Sequence, residues 1–452
     1  MTLSPEAILR NAARLTPRYT SYPTAPHFHP GVGAESYRDW LSALPPGASL
    51  SLYMHVPFCD TLCWFCGCHT KITRRYEPVA AYLEALMREI ALTAAAAPKD
   101  VQVAHMHWGG GSPTILEPQD ILRLATAARA AFRFAPDAEF AVEVDPRGMT
   151  QEAVGALAAG GLTRVSLGVQ DFDPKVQAKI NRIQTFEETQ RVVQMFRDAG
   201  VRSLNIDAIY GLPAQHEAEL MHTLDLSLEL KPDRIALFGY AHVPWMKTHQ
   251  SQINEEELPG VVERYGLAEA AGARLTRAGF ERIGVDHFAL PTDTLAAAAR
   301  QHRVQRNFQG YTVDPADALL GFGASAIGRL PQGYVQNETA IMRYQRSVDA
   351  GDFAIARGVA FSDEDRLRGD IIERLMCDMS FSTRALDGSR SDLARAAQSC
   401  AETALAEDRD GFLRATPDGF VVTDLGRPFL RTIAARFDAY LTMQEARHSL
   451  AV

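Results

Sequence analysis

From Ser51 to Phe238 short β-rich runs alternate with longer amphipathic stretches, and this alternation restricts the fold more than any other feature of the 452-residue chain. Ser51–Val56, Val103–Trp108, Glu139–Val144, Arg164–Val169, Ser203–Ile209 and Asp233–Phe238 have the length and β-branched content of strands. Between them, Pro78–Ala95, Pro118–Ala131, Gln151–Ala159, Thr185–Ala199 and Glu217–Leu230 repeat apolar residues at helical spacing. A connection long enough to hold a helix is what parallel neighbours need, so six units in series predict a parallel sheet covered by helices. Right-handed crossovers curve such a sheet into a full or partial barrel. A doubly wound open sheet has the same periodicity and remains an alternative. In both, ligands sit beyond the C-terminal ends of the strands, and Cys59, Gly109–Ser112, Asp145, Gln170, Gly211 and His242 all follow strands closely.

The flanking sequence is different. Residues 1–50, with Arg18-Tyr19-Thr20-Ser21-Tyr22-Pro23-Thr24-Ala25, read as an irregular arm without a clear period. The alternation stops near residue 360, which bounds a catalytic barrel at 51–360 and a small, mainly helical C-terminal domain at 361–452. That domain is predicted to hold helices at Asp363–Met376 and Ser391–Asp408, a hairpin at Phe412–Thr423 and a final helix at Arg427–Met443. The net charge of −9 argues against general nucleic-acid binding, which depends on basic side chains neutralising phosphates. No apolar run approaches the ~18 residues needed to span a bilayer, and the N-terminus lacks a secretory core, so a cytoplasmic protein is expected.

Four of the six cysteines fall in Cys59-Asp60-Thr61-Leu62-Cys63-Trp64-Phe65-Cys66-Gly67-Cys68. A tight cluster in a chain without secretory features points to a metal or redox site rather than a disulfide framework. Thiolates suit iron–sulfur clusters or zinc. A structural zinc site usually recruits two pairs of ligands, and no second pair follows, although Cys68, His55 or His69 could complete one. Cys377 and Cys400 stand alone and read as buried helix residues.

The Cys-x3-Cys-x2-Cys spacing just after the first strand resembles the loop of the radical S-adenosylmethionine enzymes. The resemblance implies a partial (β/α)6 barrel and a 4Fe–4S cluster on Cys59, Cys63 and Cys66. Its open iron is chelated by S-adenosylmethionine, with Phe65 against adenine. The extension Gly67-Cys68 and the arm Arg18–Ala25 narrow the likeness to the oxygen-independent coproporphyrinogen III oxidases, from about Arg18 to the last helix. A related branch of haem-trafficking proteins lacks both features.

His107-Trp108-Gly109-Gly110-Gly111-Ser112-Pro113-Thr114, Glu143-Val144-Asp145-Pro146, Gln170-Asp171-Phe172, Asn181-Arg182, Asn205–Pro213 and Tyr240–Pro244 continue the match. The resemblance assigns Gly110, Gly111, Ser112, Glu143, Gln170, Arg182, Asp207, Ile209 and Ala241 to S-adenosylmethionine. Glycines here let backbone approach a ligand closely. Tyr53 and His55 belong to the cluster environment, and Cys68 is an active-site residue rather than a cluster ligand. The resemblance also implies a second S-adenosylmethionine, near Ile327 in Gly321–Gly328, with Gln309 a candidate there.

The implied reaction converts two propionates of coproporphyrinogen III to the vinyl groups of protoporphyrinogen IX in haem biosynthesis, through 5′-deoxyadenosyl radicals and without oxygen. The electron donor is unidentified, and a monomer is expected. Four substrate carboxylates require cationic partners, for which Arg18, Arg303 and Arg306 are candidates. The competing readings are a haem-binding chaperone, another tetrapyrrole-modifying radical enzyme and a zinc-stabilised structural protein.

Overall fold

The computed structural model describes residues 3–12 and 16–441. Twelve strands in these residues form one sheet. They are β1 (Ser49–Val56), β2 (Gln102–Gly110), β3 (Arg133–Val144), β4 (Arg164–Gln170), β5 (Ser203–Tyr210), β6 (Arg234–Gly239), β7 (Glu281–Ile283), β8 (His287–Ala289), β9 (Ala318–Phe322), β10 (Ile327–Leu330), β11 (Gly333–Asn337) and β12 (Ile355–Ala360). Their spatial order is β12-β11-β10-β9-β1-β2-β3-β4-β5-β6-β8-β7. β1 to β6 are parallel and lie side by side in chain order, and β9 pairs parallel with β1 on the other side. The order turns back only between β1 and β9, outside the six β–α units. Those units run in one direction, as in a barrel rather than as the two halves of a doubly wound sheet. β8 and β7 extend one edge antiparallel, and β10 to β12 extend the other.

Each parallel strand has two unlike faces. Phe140, Val142, Val165, Leu167, Leu204, Ile206 and Ile235 are almost fully buried beneath the helices, in cores shared with Ile121, Leu124, Val192 and Leu224. Full burial of one such side chain stabilises by about 1.5–3 kcal/mol. The alternate residues line a single cavity of about 320 Å3: His105 and His107, Glu139 and Glu143, Ser166 and Gln170, Asn205 and Asp207, Arg234 and Phe238. With Ser51 of β1, one cavity receives the same face of six neighbouring strands, so the sheet wraps around it as a partial barrel. Its floor is ionic. Arg164 pairs with Glu139, and Arg234 with Asp293 at 2.7 Å.

The arm is more ordered than its sequence suggests. It carries helices at Pro5–Ala12 and Ala34–Ser42, whose apolar pairs Ile8/Ala12 and Tyr37/Leu41 recur four residues apart. The first helix, with Tyr19 and Tyr22, enters the C-terminal core beside Ile371, Phe420 and Phe437; the second packs on the barrel core. The helices Asp363–Asp378 and Ser391–Glu407 and the hairpin Leu413–Thr416/Gly419–Val422 form as predicted, and Ser380–Ser382 adds a third strand. The final helix does not run from Arg427 as predicted. A 3-10 turn containing Pro428 leads into Leu430–Ala434, and a second 3-10 turn ends at Phe437. Asp438 stops it there, because its carboxylate accepts from Tyr19 Oη at 3.0 Å and the Tyr440 amide at 2.8 Å. The remainder of that prediction, beyond residue 441, lies outside the described residues. Cys377 is buried and Cys400 half-buried. No helix among the described residues is long and apolar enough to cross a membrane.

Candidate active site

The loop after β1 crosses the barrel mouth, and its backbone is held from several sides. Gly111 and Ser112 amides donate to Val56 and Phe58 carbonyls at 2.9 and 2.8 Å, fixing its start against the end of β2. Asn181 Nδ2 donates to Leu62 O at 2.8 Å, Gln250 Nε2 to Phe65 O at 2.9 Å, and Lys247 Nζ to Cys68 O at 2.9 Å. His249 Nε2 lies 2.8 Å from Cys66 O; a carbonyl only accepts, so this nitrogen carries the proton. Asn181 holds a positive φ of 52°, a region in which Asn is enriched.

Each of the three sulfurs has a donor. Thr70 Oγ1 is 3.3 Å from Cys59 Sγ, Arg182 Nη1 is 3.5 Å from Cys63 Sγ, and the Cys68 amide is 3.4 Å from Cys66 Sγ. Hydrogen bonding from Cys68 holds the Cys66 thiol down to about 6, whereas burial pushes Cys59 up to about 11. Among the described residues no three His, Cys, Asp or Glu side chains converge as for one metal ion. Thiolates around a four-iron cluster stand farther apart, each on its own iron.

The three glycines at the end of β2, Gly109 to Gly111, serve packing as well as ligand access. A Cβ at Gly109 would lie 2.7 Å from the Glu143 carboxylate, at Gly110 2.6 Å from the His55 ring, and at Gly111 2.5 Å from the Phe58 backbone. Gly110 also adopts φ +112°. His55 therefore sits directly beneath this turn. Its Nε2 lies 3.0 Å from the His69 carbonyl and so carries the proton, leaving Nδ1 to accept from Tyr53 Oη at 3.0 Å. Burial pushes its pKa down to about 4, which keeps the ring neutral. Tyr53 stacks on His107, whose Nε2 is 3.1 Å from Glu143 Oε1.

The cavity brings together Cys59, Cys63, Cys66, Cys68, Phe65, Gly110, Gly111, Ser112, Glu143, Gln170, Arg182 and Asp207. Burial favours the protonated form of Glu143, but bonds from His107 and the Gly110 amide outweigh it, so the carboxylate stays below its ordinary range. Arg182 donates to Asp145 at 3.0 Å, to Cys63 and to the Gly168 carbonyl, while its buried Nε has no hydrogen-bond partner. Asp207 accepts from Ser166 Oγ at 2.9 Å and Asn205 Nδ2 at 2.7 Å, yet burial pushes it up to about 6.

Other candidates lie apart. Tyr53 and His55 stand behind the cavity wall, and Ile209 packs with Trp64 and Phe65. Ala241 lines a neighbouring cavity, its carbonyl accepting from Gln250 at 3.2 Å. Ile327 lines a third cavity with Tyr22, Arg329 and Tyr334. Arg18 and Arg306 line the same cavity as Ala241, whereas Arg303 is exposed and bonds to Gln301. Asp145 was placed at the mouth from the sequence and lines the cavity; Asn205, Ser166, His107 and Arg147 were not singled out as cavity groups. Strict alternation in Glu139–Val144 and Ser203–Ile209 was the available signal, because one face of each run is polar.

Three thiols on one loop, an anionic Glu143 and a cationic Arg182 with an orphaned N–H fit an iron–sulfur cluster with a zwitterionic amino-acid ligand on its open iron. The class is that of the radical S-adenosylmethionine proteins, and the family model "Radical SAM superfamily" matches residues 53–227. The chain is 49% identical to an oxygen-independent coproporphyrinogen III oxidase of Bradyrhizobium diazoefficiens, over 96% of this chain and 97% of the relative. It is 40% identical to the enzyme of that name from Salmonella typhimurium, over 95% of this chain and 94% of the relative. The solved structure of coproporphyrinogen III oxidase from Escherichia coli superposes with a TM-score of 0.88 at 38% identity, covering 94% of this chain and 97% of that one. The chain belongs to the oxygen-independent coproporphyrinogen III oxidases.

Proposed function

We propose that this enzyme oxidatively decarboxylates two propionate side chains of coproporphyrinogen III to the vinyl groups of protoporphyrinogen IX, without oxygen. The observation that carries the reading is the shared cavity: the Cys59/Cys63/Cys66 loop, Glu143 and Arg182 face one space, and Cys68 opens from it into a second. A haem chaperone is not favoured, since 96% of the chain aligns with an oxidase and the chain carries Gly67-Cys68 and Arg18–Ala25.

The 4Fe–4S cluster and S-adenosylmethionine, when bound, supply the one-electron cleavage and hydrogen abstraction that start the decarboxylation. Cys59, Cys63 and Cys66 would hold the cluster. Glu143, ionised at neutral pH, would receive an ammonium group, and Arg182 a carboxylate. Gln170 and Asp207 offer an amide and a carboxylate oxygen to ribose hydroxyls. The neutral His55 and Tyr53 support Gly110 from beneath and keep the loop start in place. Cys68 stands where substrate meets the cluster cavity. A second S-adenosylmethionine, a cytoplasmic and monomeric enzyme, and division into arm, barrel and C-terminal domain at residues 50 and 360 complete the reading.

The test is anaerobic. Reconstituted, reduced enzyme is given S-adenosylmethionine and coproporphyrinogen III, and the products are separated by chromatography. Protoporphyrinogen IX with two carbon dioxide molecules per substrate is expected; deoxyadenosine without decarboxylated porphyrinogen would sink the assignment. Cys68→Ser is expected to keep the cluster absorption and lose product, and loss of the cluster in that variant would make Cys68 a ligand.

A further inference from the structure

Cys63 is set apart from the other two thiols of the loop by its neighbours. Cys59 and Cys66 take neutral donors, the Thr70 hydroxyl and the Cys68 amide. Cys63 Sγ takes two guanidiniums, Arg182 Nη1 at 3.5 Å and Arg147 Nη2 at 3.6 Å. One carboxylate holds both of them. Asp145 Oδ2 accepts from Arg147 Nη2 at 2.6 Å and from Arg182 Nη1 at 3.0 Å, and its Oδ1 from Arg147 Nε at 3.0 Å.

The turn after β3 presents Arg147 to this sulfur. Pro146 fixes its own φ, Asp145 Oδ1 accepts from the Arg147 amide at 3.1 Å, and Gly148 takes a left-handed φ of +69°. Among the described residues the Arg147 side chain bonds only to Asp145 and Cys63. Arg182 has further duties: it donates to the Gly168 carbonyl, and its buried Nε has no hydrogen-bond partner. The Arg147 side chain is 19% exposed and that of Arg182 7%, so water and salt screen neither charge fully.

One-electron reduction adds a negative charge to an iron–sulfur cluster. A cation or N–H donor at a ligating sulfur therefore stabilises the reduced form more than the oxidised one. We infer that Arg147 raises the reduction potential of the cluster through Cys63, easing entry of the electron from an external one-electron reductant. Asp145 is the positioning residue: it holds the guanidinium against the sulfur through both oxygens, and its own charge moderates the field. Arg182 touches the same sulfur, but its charge is assigned to the carboxylate of S-adenosylmethionine. Arg147 is left as the constant donor. This role rests on the cluster assigned to Cys59, Cys63 and Cys66.

Full-length enzyme is reconstituted anaerobically with iron and sulfide, and the midpoint potential of its cluster is read by EPR during dithionite titration with mediators. Iron and sulfide per chain are determined beside it. Arg147→Gln, Arg147→Lys and Asp145→Asn are compared with wild type and with Arg88→Gln, an exposed control on the outer surface. Arg147→Gln is expected to keep the cluster and to make its reduction at least threefold less favourable, ~28 mV for one electron. The shift persists when S-adenosylmethionine is added. Arg147→Lys keeps the charge and recovers most of the difference. Asp145→Asn moves the potential the other way, because an amide oxygen still accepts from Arg147 while the opposing charge is gone.

An unchanged potential in Arg147→Gln at full iron content, with or without S-adenosylmethionine, would overturn the role of Arg147. So would equal shifts in the Gln and Lys variants, or a fall in Asp145→Asn. Loss of iron from both Arg147 variants would make the residue a structural support of the loop and overturn it as well. If only the Gln variant loses iron, Asp145→Asn decides, a rise supporting the role and anything else ending it. Wild-type enzyme that gives no reduced-cluster signal sinks the cluster itself. A reducible cluster in an enzyme that never decarboxylates coproporphyrinogen III sinks only the proposed function.

Discussion

Gly110 has no room for a side chain: with φ +112° and His55 2.6 Å from an added Cβ, even alanine must displace the ring. Gly110→Ala is expected to cost about 1–3 kcal/mol and to reduce iron retained per chain after reconstitution; unchanged urea midpoint and iron content would refute it. His55 is then the residue that moves, and with it Tyr53. Asp207 makes a different prediction. Burial pushes it up to about 6, so it is a full acceptor above that pH and a protonated carboxyl below. S-adenosylmethionine binding should weaken as pH falls from 7 to 5, and Asp207→Asn should flatten that dependence in equilibrium dialysis. The two carboxylates differ because Glu143 receives a histidine and an amide, whereas at Asp207 burial and the repulsion of Glu143 outweigh the bonds from Ser166 and Asn205.

Two buried carboxylates join elements to one another. Glu89, on the helix Glu77–Ala96, accepts from the Gly323 amide, Asn337 Nδ2 and Tyr344 Oη at 2.7, 2.6 and 2.7 Å. It thereby ties that helix to β11, to the turn after β9 and to the helix Ile341–Asp349. Glu89→Ala leaves three buried donors unmet and should cost about 2–4 kcal/mol by chemical denaturation. Asp171 similarly holds Thr223 Oγ1 at 3.0 Å and Gln215 Nε2 at 2.6 Å, joining the end of β4 to the helix Glu217–Glu229. Burial pushes both up to about 7. Raised folded-state values mean that their contribution is complete below the unfolded carboxylate range and is lost as pH rises through about 7. The urea midpoint should fall between pH 5 and 8, less steeply in Glu89→Gln; a midpoint rising over that range would contradict the burial.

The whole molecule is closed by its ends. The helix Pro5–Ala12, Tyr19 and Tyr22 pack into the C-terminal core, where Arg10 also meets Asp410 at 2.7 Å. Deleting residues 1–24 is expected to expose 361–441 to limited proteolysis before the barrel; equal protease resistance would show the arm to be dispensable. Much of this protein follows from neighbours along the chain. Period-two and period-3.6 runs define strands and helices through contacts a few residues long, and three thiols within eight residues chelate from one loop wherever that loop sits. The parallel barrel and the cluster loop were therefore legible, and the resemblance in Gly67-Cys68 and Arg18–Ala25 extended them to a substrate. The short helices of the arm were not, because two apolar turns are too brief a period to stand out and are held by tertiary packing. Only the tertiary structure decided which side chains share a cavity. It set Arg303 outside, brought Arg264, Arg282 and Arg431 to Arg18 and Arg306, and placed Cys68 between two chambers. Those groups meet through sheet closure and docking of the chain ends, which no local spacing encodes.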